Sequence, residues 1–387
     1  MRRETRTPRR DWRRTVTAQG LDFDTPAAQS APARAYWDES TRYVFTTDEI
    51  RALESAVRLL HSMFLEAVDG VVRDQRYAEL GIPKWLWPHI TRSWLRRDPH
   101  LLGRFDLAYD GHGHVKLLEY NADTPTTLLE ASVLQRHWLA DVHPRRRQWN
   151  SIHERLLKRW CEIREHLPPG AVHFAWPGTE PTGEFHATCR YLQDTAVAAG
   201  LDTTDLTYED LTWNRSIHRF VDPEGSPVTS VTKLRSWVLI IDEQDSETIV
   251  ESLPQTCWIE PLWKMLLSYK SLLAILWENH PGHPNLLPAF VGDPGPLTEY
   301  VRKPVIGQCG ENIKIVADRD RTSTGGEFGS GAYIYQGFSP LPDFDGFRPV
   351  IGAWVVGDHP AGLGIRESTG PITDDDASFI PHHILDR

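Results

Sequence analysis

Apolar residues recur at helical spacing after Thr46, Thr47, Asp48 and Glu49: Leu53, Val57, Leu60, Met63, Phe64 and Val68. The spacing predicts a surface-packed helix of about 25 residues, opened by capping and acidic side chains. Pro83 and Pro88 interrupt the pattern, and a short segment around Ile90 to Leu95 leads into a strand pair over 104–121. Ile152, Leu156, Leu157, Trp160 and Ile163 describe a second amphipathic helix from Ser151 to Leu167, which Pro168 and Pro169 end. Ala171 to Trp176 reads as a strand, Glu184 to Ala199 as a helix closed by Gly200, and Thr203 to Tyr208 as a strand. This order is a βαβ unit. Its loop lacks GxGxxG, so no dinucleotide fingerprint is present. Val228 to Asp242 reads as further strand, Glu260 to Trp277 as a helix, and 299–357 as several strands with glycine-rich connections. Gly and Pro crowd 292–296 and 323–331, stretches long enough to act as lids. The fold class is α/β or α+β.

The 387 residues, 40% hydrophobic and 25% charged, leave room for two or three packed modules. A net charge of −11 argues against broad capture of nucleic acid or an anionic membrane and points to small partners. One local exception is the extreme N-terminus, where Arg2, Arg3, Arg6, Arg9, Arg10, Arg13 and Arg14 read as a solvated, flexible tail. No apolar core follows those arginines, so they do not form an export signal. No window approaches the roughly 18 apolar residues of a membrane span, and the expected location is cytoplasmic. Cys161, Cys189, Cys257 and Cys309 lie far apart without CxxC spacing, so neither a zinc site nor a disulfide framework is suggested; three are expected to be buried thiols. Fifteen tryptophans scatter without a period and are expected in the core and in pocket walls.

Candidate chemistry concentrates in two places. Asp110-Gly-His-Gly is a hairpin turn between apolar-rich runs. If Tyr109 and His114 pair across it, Arg104 opposes Glu119, Asp106 opposes Leu117, and Arg104, Asp106, Glu119 and Asn121 share one face. Phe105, Leu107, Leu118 and Tyr120 then form the core face, with Leu117 as the imperfection on the polar side. Two carboxylates and an amide oxygen on one face are hard ligands of the kind Mg²⁺ takes together with phosphates, although a surface hairpin with an Arg104–Glu119 pair has the same pattern. His112 and His114 at the tip are expected as exposed turn residues rather than a transition-metal site. The second place is Glu260-Pro-Leu-Trp-Lys264 to Lys270, followed by Tyr300 to Lys303 and a glycine loop over 307–310. No Walker motif is present, but a β-loop-β flap lets backbone N–H groups approach phosphate while Lys303 neutralises it.

Together these stretches resemble the glutathionylspermidine synthetase family of ATP-grasp ligases. The words that carry the resemblance are Gly103-Arg-Phe-Asp-Leu-Ala-Tyr-Asp, Leu118-Glu-Tyr-Asn-Ala-Asp-Thr-Pro-Thr-Thr, Glu260-Pro-Leu-Trp-Lys-Met-Leu-Leu-Ser-Tyr-Lys, Lys303-Pro-Val-Ile-Gly-Gln-Cys-Gly-Glu-Asn-Ile, Ile334-Tyr-Gln and Gly364-Ile-Arg, in order over roughly residues 35–383. The resemblance implies an ATP-grasp fold with a pre-ATP-grasp βαβ domain. The chain then divides into a basic tail (1–35), a helical region with a metal-binding hairpin (36–150), the pre-ATP-grasp domain (151–245) and the nucleotide-binding region (246–387). It further implies ATP and two Mg²⁺ ions as cofactors, with Asp106, Glu119 and Asn121 as metal ligands and Lys270, Lys303, Gly307, Cys309, Gly310 and Gln336 around ATP. Arg104 and Arg366 would hold the substrate carboxylate or its acyl-phosphate, near Thr124, Thr126 and Glu184. Cys309 would contribute backbone rather than thiol chemistry.

The implied reaction joins a carboxylate to an amine. Family members often read Leu-Tyr-Pro-Trp-Glu-Trp where this chain has Leu234 to Leu239, with Val238 in place of the glutamate; an acidic pair before the 185–199 helix survives only as Glu184, followed by Phe185. Both changes argue against glutathione and spermidine as the substrates and point to a different acceptor, while the ATP and metal residues are intact. A phosphotransferase on the same nucleotide site and a non-catalytic nucleotide-binding protein are the alternative readings.

Overall fold

The computed structural model describes residues 1–21, 35–179, 182–244, 246–318, 321–329, 331–374 and 376–385. Its first residues correct the expectation of a flexible basic tail. Strand β1 (Arg2–Thr5) is followed by helix α1 (Trp12–Ala18), and β1 pairs antiparallel with β2 (Thr41–Phe45), Arg3 opposite Tyr43. The Arg3 guanidinium donates to both oxygens of Glu367, at 2.8 and 3.0 Å, and Arg9 pairs with the buried Glu39. Buried carboxylates need cations, and these arginines supply them, while Arg2, Arg10, Arg13 and Arg14 stay exposed. Residues 22–34 of the expected tail lie outside the described residues.

Helix α2 (Thr47–Asp74) forms as its pattern requires. Thr46 accepts from the Glu49 N–H and Glu49 accepts from the Thr46 N–H, a reciprocal cap contributing about 1 kcal/mol. Leu53, Leu60, Phe64 and Val68 are buried on one face. Where only a short segment was expected, a full helix α3 (Trp87–Leu95) forms with Pro88 in its first turn, the position that tolerates proline. The hairpin β3 (Leu102–Tyr109) and β4 (Val115–Asn121) comes next, then a π turn at Glu130–Leu134 running into α4 (Gln135–Val142), and α5 (Ile152–Arg164).

The βαβ unit is β5 (Val172–Trp176), α6 (Glu184–Ala198) and β6 (Thr203–Thr207), with β5 and β6 parallel. A small hairpin, β7 (Thr212–Asn214) and β8 (Arg219–Val221), precedes β9 (Ser230–Lys233). The expected strand over 228–242 stops there. Ser236 accepts from the Leu239 N–H and starts helix α7 (Trp237–Glu243). After α8 (Ser246–Ser252), β10 (Cys257–Ile259) completes a parallel sheet in the order β10-β9-β5-β6.

The helix expected from Glu260 to Trp277 is broken. A 3₁₀ turn at Leu262–Lys264 leads into α9 (Met265–Ser268), Tyr269 is extended, and α10 (Leu272–Asn279) follows. The break lets the Lys270 N–H donate to the Val305 carbonyl at 3.1 Å. Strands β11 (Ala289–Val291), β12 (Tyr300–Pro304), β13 (Lys314–Val316), β14 (Arg321–Ser323) and β15 (Tyr333–Gly337) form an antiparallel sheet in the order β11-β15-β12-β13-β14. Then β16 (Arg348–Val356), β17 (His359–Ser368) and β18 (Ser378–Phe379) return to the hairpin in the order β18-β17-β16-β3-β4, and β19 (His382–Ile384) lies beside β2. The residue alternation of this five-stranded sheet sends Phe105, Leu107, Ile351, Ala353, Leu363 and Ile365 into the core with α2. Its other face carries the charged residues.

Trp37, Trp138, Trp160, Trp237 and Trp354 are fully buried, in keeping with a core role. Of the cysteines only Cys189 is buried; Cys161 and Cys309 are exposed and Cys257 is intermediate, so the expected three buried thiols reduce to one. Among the described residues no helix is long and apolar enough to cross a membrane.

Candidate active site

The polar face of the sheet is the floor of a cleft of about 340 Å³. The hairpin that builds it differs from simple pairing across the turn. Tyr109 pairs with Val115 and Leu107 with Leu117, then the register shifts, so that Asp106 opposes Glu119 and Arg104 opposes Asn121. This bulge inserts Leu118 as an extra residue and removes the imperfection in the alternation. Leu117 joins Leu107 in the core, while Leu118 leaves it and lines the cleft. On the opposite face Phe105 stacks on Tyr120 with centroids 3.8 Å apart, pinning the pair in register.

Arg104 lies along the floor. Its Nε and Nη2 donate to the two oxygens of Asp106 at 2.8 and 3.1 Å, and its Nη1 donates to the Thr126 carbonyl at 2.7 Å. Gly352, opposite Asp106 on β16, makes room: a Cβ there would meet Arg104 Cδ at 3.0 Å. Asn121 Nδ2 donates to Asp106 at 3.0 Å and to Glu119 at 3.1 Å, tying the two carboxylates together. Burial works against the Arg104 charge, and Asp106 more than restores it. Burial also raises the Asp106 carboxyl against the pull of Arg104.

Two lysines face this floor, Lys303 from β12 and Lys270 from the break between α9 and α10. Lys303 on β12 donates to the Leu118 carbonyl at 3.1 Å and to Gln336 Oε1 at 2.9 Å. Gln336 Nε2 donates to the Leu117 carbonyl at 3.0 Å. Gln336 is therefore buried behind Lys303 and is not part of the cleft wall. Lys270 donates to the Gly307 carbonyl at 2.8 Å and lies 3.3 Å from Glu119. Burial resists the Glu119 charge, but Lys270 and Lys303 outweigh it and hold the carboxyl at about 2. Burial lowers Lys303 to about 8 against the opposing pull of Glu119.

The 307–310 loop closes one side. Cys309 and Gly310 both adopt positive φ, and a Cβ on Gly310 would meet the Thr373 carbonyl oxygen at 2.9 Å. Thr124 and Thr126 border the opposite side, with Glu184 and Phe185 at the start of α6. Arg366 on β17 completes the wall; one of its terminal nitrogens bonds the Asp374 carbonyl, while its buried Nε has no hydrogen-bond partner among the described residues. One cleft thus gathers Arg104, Asp106, Glu119, Asn121, Thr124, Thr126, Glu184, Lys270, Lys303, Gly307, Cys309, Gly310 and Arg366. Lys264 is absent from it, because its ammonium is buried against the Leu102 carbonyl and Glu260. His112 and His114 sit exposed at the hairpin tip.

Residues 3–385 match the model of the family described as glutathionylspermidine synthase preATP-grasp. The chain belongs to this family. It is 36% identical over 380 residues to a candidate acid–amine ligase of Haemophilus influenzae, covering 94% of this chain and 95% of that protein. It is also 30% identical over 404 residues to trypanothione synthetase of Crithidia fasciculata, with 94% of this chain and 61% of that protein covered. To the bifunctional glutathionylspermidine synthetase/amidase of Escherichia coli it is 29% identical over 352 residues, covering 84% of this chain and 56% of that protein. The chain therefore spans less than two thirds of the latter two. Among solved structures, an apo-form glutathione synthetase-like effector of Globodera pallida superposes with a TM-score of 0.54 at 11% identity, covering 98% of this chain and 100% of that one. The fold is the mixed α/β architecture of ATP-grasp proteins.

Within this glutathionylspermidine synthase preATP-grasp family member, three residues support the cleft in ways that their local sequence pattern does not disclose. Asp123 is buried, pairs with Lys233 and accepts from the Trp237 N–H at 2.6 Å, which anchors the threonine loop to β9 and α7. Glu260 accepts from the Leu101 and Leu102 N–H groups at 2.8–3.1 Å and so sets the start of β3. Only long-range pairing reveals these roles. The third is Glu130, which accepts from Tyr36 in the π turn after the threonine loop. Burial, then Glu184, raises its carboxyl to about 7. The unfolded chain releases this proton near the ordinary carboxyl value, about 4.5, whereas the folded protein holds it until about 7. Glu130 therefore costs stability progressively as pH rises through that window. Glu130→Gln is expected to gain stability relative to the wild type on going from about pH 5 to about pH 8. Urea unfolding at both values checks it, and a pH-independent difference would refute it.

Proposed function

We propose that this protein is an ATP- and Mg²⁺-dependent, ADP-forming ligase that joins a peptide-like carboxylate to an amine through an acyl-phosphate. The observation that carries this reading is the meeting of a carboxylate-and-arginine floor with two lysines across one cleft. The names of the relatives, an acid–amine ligase and two synthetases, support the reaction class.

Lys270 and Lys303 would neutralise ATP phosphates, with backbone groups at Gly307, Cys309 and Gly310 lying over them. Gln336 would act by holding Lys303. The donor set fits Mg²⁺: two carboxylates and an amide oxygen on one face, linked through Asn121. Among the described residues no three His, Cys, Asp or Glu side chains form a self-sufficient metal site, so phosphate oxygens would complete the shell. Bound Mg²⁺ supplies charge neutralisation during phosphoryl transfer. Arg104 and Arg366 would hold the carboxylate and its acyl-phosphate; the Arg366 Nε, without a partner among the described residues, is a donor ready for such an anion. Thr124 and Thr126 would border that substrate, and Glu184 would face the incoming amine. Val238 and Leu239 also line the cleft, which favours an acceptor with an apolar part over a long polyamine. No covalent protein nucleophile is required.

The test is ADP release with Mg-ATP across carboxylate peptides crossed with polyamines and amino acids. Turnover that requires both an acid and an amine, with a carbon–nitrogen product, is expected. ADP without that product would mark a phosphotransferase, and ATP binding without turnover for any pair would mark a non-catalytic protein. A second test separates the loop glycines. Gly310→Ala meets a backbone oxygen at 2.9 Å from a positive φ, whereas Gly307→Ala meets Pro304 at an ordinary 3.5 Å. Gly310→Ala is expected to weaken ATP binding about tenfold or more, as strain of about 1–3 kcal/mol would. Gly307→Ala should change it little; calorimetry that finds equal effects would remove the loop from nucleotide binding.

A further inference from the structure

A second cleft, of about 220 Å³, shares none of its lining residues with the first. It lies where α3 meets the end of α5 and the segment entering β10. His89 and Arg92 lie three apart on α3 and Arg96 caps its C-terminal end; His166 follows the end of α5 and Gln255 lies in the segment before β10. Asp98 is the one acid in the lining, and it is committed to Arg96 by a two-pronged pair at 2.9 and 3.0 Å. Arg92, His89 and His166 have no carboxylate partner among the described residues. In a chain of net charge −11, Arg92 thus stands at the exposed rim of this concavity as a cation with no carboxylate partner among the described residues. Burial, then Arg92, holds His89 below its ordinary range, and an anion seated between them would relieve that repulsion.

We infer that this cleft binds a small anion through a phosphate or carboxylate group, with Arg92 as the forked donor and His89, His166 and the Gln255 amide completing the cradle. The site stands apart from the catalytic cleft and does not depend on the ligase reading. Inorganic phosphate and citrate are titrated calorimetrically into the full chain carrying Lys303→Ala, which removes a buried cation from the first cleft. Binding that persists there, and falls about tenfold when Arg92→Ser or, separately, His166→Gln is added, is the expected result. Whichever anion binds more tightly names the headgroup. No binding in the Lys303→Ala protein, or binding indifferent to both second substitutions, would overturn the inference and leave the basic face of α3 to offset its helix dipole.

Discussion

Asp106→Asn is expected to lower ADP-forming turnover on the order of 10³-fold while leaving the protein folded. Asp106 carries two tasks in the proposed chemistry. Its charge belongs to the set that would hold the metal, and its two oxygens fix the guanidinium of Arg104. An amide keeps the shape but turns one acceptor into a donor, aimed at donors on Arg104 and Asn121. The buried guanidinium is then half satisfied, at a cost of about 1–3 kcal/mol. Asp110→Asn on the same hairpin, at its tip, is the control and should leave turnover within about twofold. ADP release and circular dichroism on both variants check the prediction. Asp106→Asn turnover within about tenfold of wild type would show that this carboxylate does not serve phosphoryl transfer.

Arg3→Ala should produce the largest loss of stability of any change in the N-terminal segment, about 3–5 kcal/mol. Glu367 has no exposed surface; with Arg3 gone it keeps the Tyr43 hydroxyl at 2.5 Å but loses the guanidinium that bonds both its oxygens. Arg3 also lies over the Phe347 ring, 3.9 Å from its centroid, so packing is lost as well. Arg3→Lys should recover only part, because an ammonium cannot bond both carboxylate oxygens in the same fork. Adding Glu367→Gln to Arg3→Ala should restore some stability by removing the charge that Arg3 neutralised. Guanidinium unfolding of the four proteins measures it, and an Arg3→Ala midpoint equal to wild type would make β1 dispensable.

Elements whose geometry depends on near neighbours along the chain are legible in the sequence. Helix α2 carries its own cap at Thr46 and Glu49 and its own apolar stripe; the βαβ unit over 172–207 is written in alternating periods with Gly200 as a stop. The hairpin is legible except at Leu118, where burial of Leu117 on the core side outweighs unbroken pairing and forces the extra residue. Two other expectations fail for the same kind of reason. The run over 237–243 is apolar enough for a strand, yet Ser236 caps it as a helix whose first N–H is held by Asp123. The helical spacing of 260–277 is interrupted at Tyr269 and Lys270 by a hydrogen bond to Val305.

Sequence by itself determined which residue types could do chemistry, and the short-range pattern placed Arg104, Asp106, Glu119 and Asn121 on one face. Only the tertiary structure decided what they face. Lys270 and Lys303 reach Glu119 and Leu118 across more than 150 positions of chain, and Arg3 meets Glu367 across 364. Side chains near one another in sequence are constrained by local backbone geometry, whereas such distant pairs exist only because burial of the two sheets and α2 brings them together.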